Sequence, residues 1–90
     1  MDTEKSRILL KIIETGSFSR AAELLGYTPS GINRMVKSME EETGFPLFTR
    51  SQKGVCLTTE GKRLLPIFRE LVHWQKQLDA EDDYTDVRDQ

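Results

Sequence analysis

The stretch from Gly16 to Phe48, GSFSRAAELLGYTPSGINRMVKSMEEETGFPLF, constrains the fold more than any other part of the chain. It holds two helical patterns with a very short break between them. Ser17 can cap a helix running from Phe18 to Leu25, with Ala21, Ala22 and Leu25 as its inner face and Gly26 closing it. Thr28 followed by Pro29 places an oxygen cap before a proline at the first helical position. A second helix should therefore start there and run to about Thr43, with Gly44 as its stop. Gly31 near its start weakens it slightly. The two small alanines allow the helices to approach closely, and Leu25-Gly26-Tyr27-Thr28 is the short turn that a helix-turn-helix requires.

Around this stretch the periodicity places three further elements. Leu9, Ile12 and Ile13, flanked by Leu10, recur at helical spacing between Thr3 and Thr15, and Gly16 is placed to end that helix. After Gly44 the pattern changes. Pro46 and Phe48 lead into Thr49-Arg50-Ser51-Gln52-Lys53-Gly54, and Val55-Cys56-Leu57 then alternates, which predicts a short hairpin with a basic tip. Thr58 can cap a last helix from Thr59 to about Ala80, with Pro66 inside it and expected to kink it. Its length would be roughly 33 Å. The acidic segment from Ala80 to Gln90 reads as a linker or disordered tail.

At about 100° per residue, Ile32, Val36 and Met39 of the third helix share one narrow sector and belong to the core. Ser30, Arg34 and Lys37 fall opposite, with Asn33 and Ser38 on the flanks. Hydroxyl, amide, guanidinium and ammonium groups are those that read base edges and hold phosphates, and a helix N-terminus adds free N–H groups for a phosphate. Glu40, Glu41 and Glu42 lie at the other end. An ordinary solvated helix face carries the same residue types, and Arg50 and Lys53 at the hairpin tip equally suit a solubilising loop. On DNA they would reach backbone phosphates or the adjacent minor groove.

The net charge of −2 looks wrong for a nucleic-acid binder until its distribution is read. Asp79 to Gln90 holds six acids and one base, a local charge of −5, so the remainder carries +3. Leu64, Phe68, Leu71 and Leu78 form an apolar stripe on the last helix that Gln75 interrupts, while Leu65, Val72 and Trp74 lie off it. That is more apolar surface than one small core needs, and a second copy packing through Leu64, Phe68, Leu71, Val72 and Leu78 would cover it. Another domain, or plain exposure, would also account for it.

Cys56 and His73 are single residues of their types with no second soft ligand, so neither a metal site nor a cofactor is expected. Cys56 is expected to pack in a strand as a small apolar residue. No constellation supports catalysis, and the glycines sit at helix ends and turns rather than in a phosphate loop. A charged opening without an apolar run, one cysteine, and no stretch near the roughly 18 apolar residues of a membrane span suggest a cytoplasmic, non-membrane protein.

Gly16-Ser17-Phe18-Ser19-Arg20-Ala21-Ala22, then Thr28-Pro29-Ser30 with Arg34, then Gly44 to Arg50 and Leu57-Thr58-Thr59-Glu60-Gly61, resemble the N-terminal DNA-binding domain of LysR-type transcriptional regulators. The resemblance runs in order over about residues 3 to 78. It implies a mainly α, winged helix-turn-helix fold with a long C-terminal linker helix that dimerises, and recognition of partly palindromic promoter DNA. By position it puts Thr28, Pro29, Ser30, Asn33, Arg34 and Lys37 near double-stranded DNA, with Arg50 and Lys53 in the wing. Asn33 stands where the family commonly has serine, and Gly31 where it often has alanine. Family members also carry a C-terminal domain for a small-molecule effector, and with the sequence ending at Gln90 the expectation is either an excised domain or a naturally short relative.

The expected organisation is a winged helix-turn-helix over residues 1–57, a linker and dimerisation helix over 58–79, and an acidic tail over 80–90. A protein-interaction module of the same shape, without a DNA role, is the competing reading.

Overall fold

A computed structural model of the chain describes residues 2–88, and the side chains of 2–80. The elements run α1 (Thr3–Thr15), α2 (Phe18–Leu25), α3 (Pro29–Thr43), β1 (Phe48–Ser51), β2 (Gly54–Leu57) and α4 (Thr59–Arg88). The caps explain these limits. The Ser17 and Thr28 side chains accept from Arg20 N and Gly31 N, and Asp2 does the same for α1 through Lys5 N. Gly16, Gly26 and Gly44 all take left-handed φ values of 69°, 80° and 87° to close the three helices, a conformation that costs glycine nothing and other residues more.

Ile8, Leu9 and Ile12 of α1, Ala21 and Ala22 of α2, and Ile32, Val36 and Met39 of α3 meet in one core, closed by Leu47 and Phe68. Ser6 is the one buried polar residue of this centre among the described residues, and its hydroxyl donates to the Asp2 carbonyl at 3.1 Å. The strands pair antiparallel, Phe48 opposite Leu57 and Ser51 opposite Gly54. Three ties fix this hairpin to the helices. Val55 N–H donates to the Gly16 carbonyl at 3.2 Å and Thr58 N–H to the Leu47 carbonyl at 2.9 Å, and the Thr58 hydroxyl donates to the Pro46 carbonyl at 2.7 Å. Thr58 also accepts from Gly61 N, capping α4 as its position predicts.

Three expectations need correction. Phe68, placed on the dimerisation stripe from sequence, is only 3% exposed and packs in the core. Periodicity identifies a stripe but not which of two apolar stripes faces inward. Cys56 is exposed rather than packed, because side chains alternate along a strand and its neighbours Val55 and Leu57 take the inward positions. Finally, α4 continues to Arg88 instead of ending near Ala80. The sequence from 81 to 88 has neither glycine nor proline to stop it.

Candidate nucleic-acid interface

Ser30, Asn33, Arg34 and Lys37 are all exposed along one side of α3, opposite Ile32, Val36 and Met39. Thr28 and Pro29 are exposed at its start. The Thr28 oxygen is already engaged as the cap, 3.0 Å from Gly31 N and 3.4 Å from the Ser30 hydroxyl. Thr28 thus shapes the helix start before it can offer anything outward. Tyr27, just ahead of it, donates its hydroxyl to the Glu4 carboxylate at 2.5 Å, which ties the turn to α1. That bond to Glu4 raises the Tyr27 pKa.

The hairpin brings Arg50 to the same face. Its Nη2 donates to Asn33 Oδ1 at 2.9 Å, and its guanidinium carbon lies 4.4 Å from the centre of the Phe18 ring. Phe18 in turn meets Phe48 edge to face, with ring centres 5.5 Å apart. Phe18 of α2 and Asn33 of α3 therefore hold the Arg50 side chain, with Phe48 of β1 backing the Phe18 ring. Lys53 stays apart from this cluster. It is exposed at the hairpin tip, where its backbone N–H donates to the Ser51 hydroxyl at 3.2 Å. Arg34 and Lys37 form no ion pair among the described residues, so their charges face solvent.

Two of the three acids at the end of α3, Glu40 and Glu42, are engaged within the fold. Glu40 Oε2 accepts from Leu47 N at 2.7 Å and Phe48 N at 3.4 Å, so this carboxylate positions the entry to β1. Glu42 pairs with the Lys5 ammonium, which holds the Glu42 carboxyl down at about 2 and lifts the Lys5 pKa. Lys5 also donates to the Ser38 hydroxyl at 3.0 Å.

Sequence reasoning missed Phe18 and Glu40 as parts of this site. Phe18 carried a usable signal, since it lies three and four residues before Ala21 and Ala22 and hence on the same helical face. Glu40 carried none, because its partners are backbone N–H groups seven and eight residues later, across a turn. Among the described residues no cluster of His, Cys, Asp and Glu could hold a metal ion, and no helix is long and apolar enough to cross a membrane.

The family model for bacterial regulatory helix-turn-helix proteins of the lysR family matches residues 3–62. The chain belongs to that family. It carries the DNA-binding helix-turn-helix domain of a LysR-type regulator, and its relatives are transcriptional regulators rather than enzymes. It is 41% identical over 81 residues to the HTH-type transcriptional activator AllS of Klebsiella pneumoniae, covering 90% of this chain and 30% of that protein. The chain spans less than a third of the length of such curated relatives. Among solved structures it resembles the BenM DNA-binding domain in complex with catB site 1 DNA, with a TM-score of 0.86 and 25% identity over 94% of this chain and 96% of that one. It also resembles full-length LysG of Corynebacterium glutamicum with bound effector Arg, with a TM-score of 0.80 and 30% identity over 94% of this chain and 29% of that one. The LysR-type winged helix-turn-helix is thus the fold of this chain, as its residues led one to expect.

Proposed function

We propose that this LysR-family domain binds double-stranded DNA sequence-specifically, with α3 in the major groove and the wing on the adjacent backbone or minor groove. The observation that carries the reading is the single face on which Ser30, Asn33, Arg34 and Lys37 stand exposed beside the fixed guanidinium of Arg50. Phosphate contacts from Lys37, Lys53 and the start of α3 fix register, and Arg34 and Asn33 address base edges. The solved complex of the similar BenM domain with DNA supports this assignment.

The working unit is a homodimer joined through α4, so that two copies of α3 meet two halves of a partly palindromic promoter site. Support for this comes from Ile67, Trp74 and Leu78, which are 52%, 61% and 54% exposed. With half-buried Leu71 they follow a 4-3-4 spacing, the seam by which helices pair. Leu64 and Val72 are half-buried and flank it. In this arrangement residues 1–57 read DNA and 58–79 join the copies. A small-molecule effector would act through a further domain of the whole protein, which would work in the cytoplasm, at the nucleoid when bound.

Titration of a selected duplex at several salt concentrations tests this. Specific binding should weaken steeply as salt rises, because counterions are released from the DNA. Arg34→Ala should then lose about 1–3 kcal/mol of discrimination between specific and random duplexes. Equal loss on both would make Arg34 a phosphate contact. A flat salt profile with an intact dimer would identify a protein-interaction module instead.

A further inference from the structure

Asn33 and Arg50 meet across the cleft between α3 and the wing, and their contact decides which hydrogen-bonding groups Asn33 has left to offer. A guanidinium carries donors only, so its partner on the amide must be the oxygen, and the Nη2 to Oδ1 separation is 2.9 Å. Arg50 is not a loose surface arginine that could contribute this bond by chance. The Phe18 ring lies beneath its guanidinium, Phe48 supports that ring from the side, and Arg50 is paired in register with Val55. Asn33 itself is exposed on the second turn of α3, next to Arg34.

An asparagine reads adenine with both ends of its amide. The oxygen accepts from the N6 amino group while the nitrogen donates to N7. Arg50 engages one of the two lone pairs of the Asn33 oxygen and ties it to the wing, which weakens Asn33 as an acceptor and leaves both of its N–H donors. Those donors suit a base that shows a keto oxygen in the major groove, guanine through O6 or thymine through O4; adenine still offers N7 to one donor, but its N6 amino group, like the N4 amino group of cytosine, opposes them. We infer that Arg50 sets the base preference of Asn33, turning a residue type that otherwise reads adenine into a reader of keto bases. Arg50 is the positioning residue here, and its remaining donors stay available to phosphate. The inference rests on the DNA-binding reading above and adds a direction of sequence preference to it.

Selection of bound duplexes from a random library tests it, using the chain, Asn33→Ala and Arg50→Ala. Low salt keeps binding strong when one phosphate contact is lost. The base position at which Asn33→Ala abolishes preference is the one Asn33 reads. The chain should enrich guanine or thymine over adenine there by about tenfold. Arg50→Ala should weaken binding overall and move the enrichment at that position to adenine. Adenine or cytosine enriched by the unaltered chain, no position altered by Asn33→Ala, or an unchanged keto preference in Arg50→Ala would each overturn the inference. If Arg50→Ala does not fold, Arg50→Met, which keeps an apolar stem over Phe18 and has no donor, makes the same comparison. Enrichment of no duplex by the unaltered chain would instead remove the DNA reading beneath it.

Discussion

Gly61 lies so close to Leu47 that a Cβ added to it would stand 2.7 Å from the Leu47 carbonyl oxygen. The same carbonyl accepts the Thr58 N–H at 2.9 Å, so the first turn of α4 and the entry to the wing share one point of contact. Neither backbone can retreat without breaking that bond. Gly61→Ala should therefore destabilise the domain by about 1–3 kcal/mol through overpacking, read as a lower midpoint in urea. An unchanged midpoint would mean that the start of α4 shifts freely.

Glu40 fastens the wing from the other side. Its carboxylate accepts from the N–H groups of Leu47 and Phe48, and Leu47 is fully buried. Glu40→Ala should cost about 1.5–3 kcal/mol, the range for hydrogen bonds to a charged group. Glu40→Gln keeps an acceptor and should cost less. Chemical denaturation of both variants gives the comparison, and equal losses would show that charge rather than the bond matters.

Acid should weaken the contact between Glu42 and Lys5. The folded value of about 2 for Glu42 lies below the ordinary 4.5, so its contribution is fully present above about 4.5 and is lost as pH falls through about 2. The pair is partly exposed, and added salt should screen it. Lys5→Gln should raise the Glu42 value toward 4.5 in a carboxyl NMR titration. No movement would place the cause elsewhere.

Phe68 and Trp74 sit six residues apart on α4 with opposite tasks, one 3% exposed and the other 61%. Phe68→Ala should cost about 3–5 kcal/mol of folding stability. Trp74→Glu should leave the monomer folded but weaken self-association by about thirtyfold or more, the scale of an interface hot spot. Sedimentation and thermal melts of the two variants separate these effects. If Trp74→Glu sediments like the parent, the 4-3-4 seam is not the dimer contact.

Local chemistry made most of this domain readable from its residues. Ser17, Thr28 and Thr58 cap where a hydroxyl before a helical run predicts, and three glycines end α1, α2 and α3. The inward sector of α3 was legible for the same reason, since Ile32, Val36 and Met39 leave no ambiguity about its face. Legibility stopped where an outcome depends on a distant partner. The bond between Arg50 and Asn33 spans seventeen positions, and nothing near either residue announces it. On α4 two apolar stripes compete, and only the position of the rest of the core decides that Phe68 turns inward.

The three ties of the wing also bear on how such a domain can be altered. A two-stranded ribbon has little stability of its own in water, and this one borrows its register from Gly16, Leu47 and Thr58 at its base. Extra residues added near Phe48 or Leu57 would break those bonds and misplace every side chain beyond them. At the tip, Gln52 and Lys53 are exposed and lie outside the strand pairing. Insertions are best tolerated at such tips, so the hairpin can be lengthened there while Arg50 keeps its place.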